Sequence, residues 1–344
     1  MQVHDERLYG RLLSHGSLGL GEAYMEKWWD AERIDLTVEK LLRSYGNQKI
    51  TLPVVWLALK AWVFNLQSRS GARQVIDEHY DLSNDLYMSF LDPYNQYTCG
   101  YFKNTDDLNI AQEQKLDLIC RKLELKKVER VLDIGCGWGG FAKYAAEHYG
   151  VHVTGITISD EQLTYAKKFT EGLSVTVRKQ DYRDLKGEQF DKIVIIGMIE
   201  HVGYKNYRTI MRIVHECLAA NGLFLLHTIG RNDTSYTGEA WSHKYIFPNG
   251  MVPSVKQLGG ASENLFVMED WHNFGPYYHT TLLAWDRNFQ KNWSSIKDAY
   301  SETFYRMFRY YFNSFAGSFK ARHIQLWQVL YSKGERDTVY ETVR

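Results

Sequence analysis

Three things are scarce in this sequence, and each scarcity removes a class of function. Cysteine is the first: Cys99, Cys120, Cys136 and Cys217 are the only four in 344 residues. They show neither C-x-x-C pairing nor ligand spacing, so a disulfide framework and a structural metal site are excluded and no metal is expected. An excess of one charge is the second: Lys plus Arg equals Asp plus Glu at 41 each. No global field draws the chain to nucleic acid or to an anionic membrane, and any such contact has to come from a local patch. Long apolar runs are the third. The most apolar stretch, residues 54–66, is interrupted by Lys60 and Asn65. At ~1.5 Å per residue it falls short of a ~30 Å bilayer core. Without a signal-peptide pattern either, a reducing cytoplasm is the expected compartment.

What is present is apolar and aromatic. Hydrophobic residues make up 44% of the chain, enough core for one large domain and a smaller one. Aromatic residues reach 15%, which suits a site that handles a long apolar or cationic species.

The organising stretch is residues 128–159. It reads as a strand at 130–134, a turn through Gly135, Gly137, Gly139 and Gly140, a helix at 141–149 and a β-branched strand at 151–158. That is a βαβ crossover whose glycines let a ligand approach a helix N-terminus. Gly135, Gly137 and Gly140 also satisfy G-x-G-x-x-G, a weak signal alone. A dinucleotide site expects a carboxylate ~20 residues on, closing the second strand. Here that strand ends Gly155-Ile156-Thr157-Ile158. Asp133 instead precedes the first glycine, where a carboxylate can orient the turn and face a cationic amino-acid ligand. The pattern favours S-adenosylmethionine over a dinucleotide.

In chain order, residues 5–13, 21–30 and 35–45 read as short helices, with a glycine-rich break at 16–21. Pro53 starts the apolar helix at 54–66, read either as a buried inter-domain helix or as a lipid-facing one. Residues 67–73 look like a basic linker. Residues 78–102 alternate polar and aromatic side chains too irregularly for one amphipathic element, and 110–123 has helical spacing. Further strands are expected at 174–178, 190–196, 223–227, 266–272 and 324–331, with a helix at 207–218. The result is a mainly parallel α/β sheet with an antiparallel edge. Two long excursions, 230–258 and the aromatic 278–319, are candidates for building a substrate site.

Ligands of open α/β sheets bind beyond the carboxyl ends of the strands. Asp133, Gly135, Thr157, Ser159, Asp181, Tyr182, Glu200, His201, His227 and Ile229 fall there. Glu200 and His227 close adjacent strands, so a carboxylate and an imidazole converge, either as a surface pair or for proton chemistry.

The segments LDIGCGWGG, EHYDLSNDLY, LDPYNQYTCGYF, MIEHVG, LLHTIG, KYIFPNG and WHNFG together resemble the cyclopropane-fatty-acyl-phospholipid synthases, a family that includes the mycolic acid cyclopropane synthases. The likeness covers nearly the whole chain. It implies a class I S-adenosylmethionine-dependent methyltransferase fold, α/β with a Rossmann-like seven-stranded sheet. A lipid-contacting helical domain at 1–67, a linker at 68–77 and a methyltransferase domain at 78–344 go with it. The implied reaction moves a methyl group from S-adenosylmethionine to the cis double bond of a phospholipid acyl chain, and proton loss then closes a cyclopropane ring. Tyr97, Thr98, Gly135, Cys136, Gly137, Thr157, Ser159, Gln162, Asp181 and Tyr182 would contact the cofactor. A bicarbonate ion acting as base would be held by Glu200, His227, Tyr278 and the backbone of Cys99 and Ile229. The partners implied are acyl chains at the inner face of the membrane, reversibly engaged by a cytoplasmic homodimer, with no nucleic acid. Tyr278, Tyr305, Phe308, Tyr310 and Tyr311 are candidates to stabilise a cation, although 305–311 is expected in the core.

Two departures stand out. The family commonly has a longer N-terminal stretch, so Met1 is expected to be a shortened start with weaker lipid contact. Some members carry a cysteine just before the Ala316-Gly317 pair, where this chain has Phe315, which excludes a thiol mechanism there. Cys99 is expected to act through its backbone, since alkene methylation needs no acyl-enzyme. A methyltransferase for a small acceptor would share the cofactor half without needing the Glu200–His227–Tyr278 set. A silent lipid-binding protein would have lost that set.

Overall fold

The chain opens with β1 (Gln2–Val3), followed by α1 (Arg7–Met25), β2 (Trp29–Asp30) and α2 (Ile34–Ser44). The computed structural model describes residues 1–44, 83–334, 336 and 338–344. The expected helix at 54–66 and linker at 68–77 lie outside the described residues. Gly16 breaks α1 into two arms, at φ 56° and ψ −130°, a conformation open to glycine. The break is where the glycine-rich stretch predicts it. The second arm, however, ends at Met25, and residues 29–30, expected to be helical, pair with β1.

Beyond the undescribed segment come α3 (Asn84–Met88), α4 (Leu108–Lys122), β3 (Arg130–Ile134), α5 (Gly140–Tyr149), β4 (His152–Thr157) and α6 (Asp160–Phe169). Then follow β5 (Val175–Lys179), β6 (Phe190–Ile196), α7 (Tyr207–Cys217), β7 (Leu218–Arg231), α8 (Ala240–Tyr245) and α9 (Val255–Ser262). The chain closes through β8 (Val267–Asn273), α10 (Pro276–Ile296), α11 (Glu302–Lys320) and β9 (Ile324–Ser332).

Seven strands form one sheet in the order β5-β4-β3-β6-β7-β9-β8. Every pairing is parallel except those of β9, which runs antiparallel to β7 and to β8. The antiparallel strand is therefore not at the edge, as the sequence suggests, but one place in from it. Burial gives the reason. All of β9 beyond Ile324 is buried, whereas Val267 and Met268 of β8 are exposed, so β8 takes the edge.

The central strands pack on both faces, which is why they read as continuous apolar runs. Leu132, Ile134, Ile193 and Ile195 meet Met211 and Val214 of α7 on one face. Val131 and Val194 meet Leu116 and Ile119 of α4 on the other. A third core is half aromatic and lies over the carboxyl ends of the strands. There Leu20, Tyr24, Trp29 and Val38 from the N-terminal arms pack with Phe308, Tyr310, Phe312 and Phe319 of α11. Phe308, Tyr310 and Tyr311 are buried as expected, while Tyr305 is only partly so.

Phe90 sits inside this aromatic core. It is fully buried, and its ring lies 5.1 Å from Phe312, 5.9 Å from Tyr87 and 6.0 Å from both Tyr97 and Trp285. Phe90→Ala is expected to cost about 3–5 kcal/mol, because rings that cannot collapse leave a cavity. Urea denaturation of the two proteins measures this, and a loss below about 1 kcal/mol would show that the core repacks.

Candidate active site

The sheet turns back on itself between β3 and β6, since β4 and β5 lie on one side of β3 and β6 and β7 on the other. A crevice opens at such a point beyond the strand ends. Here it is a cavity of about 750 Å³ bounded by the glycine turn, the ends of β4, β6 and β7, and the aromatic core.

Gly135 and Gly137 shape its floor. Gly135 has φ 79°, and a Cβ there would stand 2.6 Å from Met198 Cγ. Its N–H and that of Cys136 donate to the Ile156 carbonyl at 2.9 and 3.0 Å, which ties the turn to β4. Gly137, at φ 55°, has no atom of the described residues beyond its chain neighbours within 4 Å of where a Cβ would be, so the backbone faces space that a ligand can fill. Asp133 is buried beneath the turn. Burial pushes its carboxyl up to about 7, against the pull of the Lys115 ammonium.

At the end of β4, the Thr157 hydroxyl donates to Gln162 Oε1 at 3.0 Å and accepts from the Ser159 N–H at 3.2 Å. Ser159 Oγ accepts from the Gln162 N–H at 3.3 Å and caps α6. Thr157 and Gln162 line the cavity and Ser159 does not. Asp181 accepts from the Arg183 N–H at 2.9 Å, and the Arg183 guanidinium lies 5.1 Å from the centre of the Tyr182 ring. On the opposite wall, the Tyr97 hydroxyl donates to that of Tyr311 at 2.9 Å, and Thr98 Oγ1 accepts from Lys115 Nζ at 2.9 Å.

Lys115 is wholly buried. Desolvation brings its ammonium down to about 7 despite the pull of the Asp92 and Asp133 carboxylates. Sequence reasoning missed it. The one available signal was a lysine beside Leu116 on the apolar face of a helix.

Glu200 and His227 both line the cavity. β6 and β7 pair in register with Ile196 opposite His227, and Glu200 follows in the turn Ile199–His201. Glu200 Oε1 accepts from the Ile229 N–H at 2.7 Å. Its Oε2 and His227 Nε2 are buried without a hydrogen-bond partner among the described residues. Burial raises the Glu200 carboxyl to about 7, against hydrogen bonds from its own backbone, Ile229 and Thr228. Burial, reinforced by the Lys115 and Lys122 charges, holds His227 far below the usual imidazole range. Tyr278 of α10 lines the same cavity with its ring 4.4 Å from Phe319. Cys99 lies behind the wall, 3.8 Å from the Thr281 hydroxyl, and burial pushes its thiol well above the usual range. A thiolate nucleophile is not available there.

Around one cavity lie all the residues expected to hold the cofactor or the anion except Ser159 and Cys99, while of the cation candidates Tyr305 and Phe308 stay outside the lining. A desolvated acid and a neutral imidazole, each with one polar atom unmatched, are equipped to hold a small anion or exchange a proton.

The mycolic acid cyclopropane synthetase family model matches residues 67–329. The chain is similar to the cyclopropane-fatty-acyl-phospholipid synthase of Escherichia coli (strain K12), at 52% identity over 340 residues, covering 97% of this chain and 88% of that protein. A cyclopropane synthase structure from Mycobacterium tuberculosis superposes with a TM-score of 0.70 at 30% identity, over 75% of this chain and 98% of that one. A mycolic acid cyclopropane synthase complexed with SAH and CTAB gives 0.71 at 31%, over 76% and 98%.

The cap at Ser159 is testable. Ser159→Ala is expected to lower stability by ~1 kcal/mol, the worth of an N-cap. Thermal or urea unfolding measures it, and an unchanged midpoint would show that the bond to the Gln162 amide contributes nothing.

Proposed function

The chain belongs to the mycolic acid cyclopropane synthetase family, and from that premise we propose that it converts the cis double bond of an unsaturated phospholipid acyl chain into a cyclopropane ring at the expense of S-adenosylmethionine. The observation that carries this reading is the buried Glu200–His227 pair, set on the same cavity as the glycine turn. A methyltransferase for a small polar acceptor has no need of so dry an acid and imidazole, nor of the aromatic wall above them.

S-adenosylmethionine brings an electrophilic methyl group on a sulfonium. The open space at Gly137, the buried Asp133 and the Thr157–Gln162 pair suit it, and Gly135, Cys136, Gly137, Thr157, Gln162, Asp181, Tyr182, Tyr97 and Thr98 would hold it. Ser159 would act from behind, by capping α6. Tyr97, Phe247, Tyr311 and Phe315 form a connected aromatic surface that excludes water and faces the acyl chain. Aromatic faces stabilise a desolvated cation by ~2 kcal/mol each, more than tenfold in rate where the gain is confined to the transition state.

Proton removal needs a base small enough to reach beside the chain, and bicarbonate is the base proposed. The unmatched Glu200 Oε2 and His227 Nε2 suit a small anion, with Tyr278 on the same cavity; the Ile229 N–H is taken by Glu200, and Cys99, expected to contribute its backbone, lies outside the lining. Glu200 has its Oε1 anchored by the Ile229 N–H, so the other oxygen is left for that ion.

No helix among the described residues is long and apolar enough to cross a membrane. Leu12, Leu13, Leu41 and Leu42 line one side of the cavity, and Leu13 is 83% exposed. We place acyl-chain entry there, with a cytoplasmic homodimer docking reversibly on the membrane through apolar surface.

Incubating the protein with unsaturated phospholipid vesicles and methyl-labelled S-adenosylmethionine tests the reaction, with mass analysis of the extracted lipid. A gain of CH2 with loss of the double bond is expected, and label in a small acceptor alone would contradict it. Glu200→Gln is expected to slow turnover ~30- to 1000-fold while S-adenosylhomocysteine still binds. Wild-type activity undiminished in carbonate-depleted buffer would rule out the bicarbonate base.

Membrane docking has its own check. Vesicle association is expected to persist in moderate salt, because exposed charges are screened beyond ~8 Å at physiological ionic strength. Association lost at moderate salt would point to basic groups instead.

A further inference from the structure

Gln328 has no place in the site described above, yet it touches that site from behind. It lies mid-strand in β9, and the antiparallel register sets it directly across from His227 of β7. On its other side it faces His272 of β8. Gln328 and His227 are both wholly buried. The Gln328 amide nitrogen lies 3.3 Å from His227 Nδ1, and Gln328 Oε1 has no hydrogen-bond partner among the described residues. A glutamine inside an apolar strand loses its hydration, and each polar group left unmet there is costly. Among the described residues, the contact with His227 is the one hydrogen bond its side chain shows in return.

That contact couples the amide to the ring proton: the amide nitrogen toward Nδ1 selects Nε2–H, whereas the amide oxygen there would select Nδ1–H. Burial and the nearby Lys115 and Lys122 charges keep His227 neutral, so the ring has one N–H and one lone pair. An amide NH2 group only donates. With it facing Nδ1, Nδ1 accepts and the proton resides on Nε2. Nε2 is also the nitrogen without a partner, on a residue that lines the cavity. An N–H there attracts an anion, whereas a lone pair would repel it.

We infer that Gln328 is a positioning residue, whose amide holds His227 in the Nε2–H tautomer so that the imidazole offers a donor to an anion in the cavity. The functional half of this inference rests on the proposed anion site, and the tautomer half does not. The same buried cross-strand pair would be inert if His227 were only a core residue.

The test uses the full chain labelled with 15N-histidine, its His227 signals assigned by their absence from His227→Gln. In the wild type, Nε2 is expected to be protonated and Nδ1 bare. Gln328→Met keeps the volume and removes the donor, so the Nδ1–H form is expected to appear in the spectrum. Its apparent KM for bicarbonate is expected to rise about tenfold, as for losing one hydrogen bond to a charged ligand, with kcat recovering at high bicarbonate. S-adenosylhomocysteine affinity stays within about twofold, because a general loss of structure would weaken it and kcat together. Gln328→Leu serves the same purpose if the methionine variant does not fold. An Nδ1–H tautomer in the wild type overturns the inference, as does an unchanged tautomer in both variants. Wild-type turnover indifferent to bicarbonate overturns the anion half alone, and the NMR spectrum tells that failure from the other.

Discussion

The exclusion of water from the carboxyl ends of β6 and β7 is the constraint on which this site depends. A carboxyl and an imidazole in contact with solvent would titrate near their ordinary values and bind an anion weakly. Burial raises Glu200 to about 7 and lowers His227, so the imidazole stays neutral and the carboxyl exchanges its proton in the neutral range, each with one polar atom unmatched among the described residues. Keeping that region dry takes a large apolar cover, and the aromatic core supplies it. Phe247, Tyr311 and Phe315 close one side, and the two arms of α1 with α2 pack outside them against α11. The 15% aromatic content and the N-terminal arms are two parts of one solution.

The proposed cofactor half follows a different logic. Its groups are mostly backbone and hydroxyls, presented by a glycine turn that side chains would fill. The strand β4 ends in a Thr157–Gln162 hydrogen bond where a dinucleotide site has a carboxylate. Beneath the turn, Lys115 links the Thr98 segment to the charges of Asp92 and Asp133, so the two halves share a buried electrostatic floor.

Much of this was legible in the sequence, and the limits have physical causes. The β3–α5–β4 unit was readable because glycine and β-branched residues are local signals. Glu200 and His227 were readable because chemistry at strand ends follows from topology alone. The place of β9 was not, because strand pairing is decided by burial over the whole sheet. Ser159 was singled out from its position, but its hydroxyl caps a helix, a competing use that the sequence also permits. Lys115 and Gln328 went unnoticed since each looks like an ordinary polar residue until the fold buries it against a partner far along the chain. A glutamine within an apolar strand was the one hint for Gln328.

The most direct measurement of the central claim is the protonation state of Glu200. Infrared difference spectra of wild type against Glu200→Gln, recorded from acid to alkaline pH, isolate the carboxylic C=O band of that residue. A water-excluded site predicts a band that survives into the neutral range and disappears with a midpoint near the value to which burial raises it, about 7. A band lost below about pH 5, as for an exposed glutamate, would contradict the account.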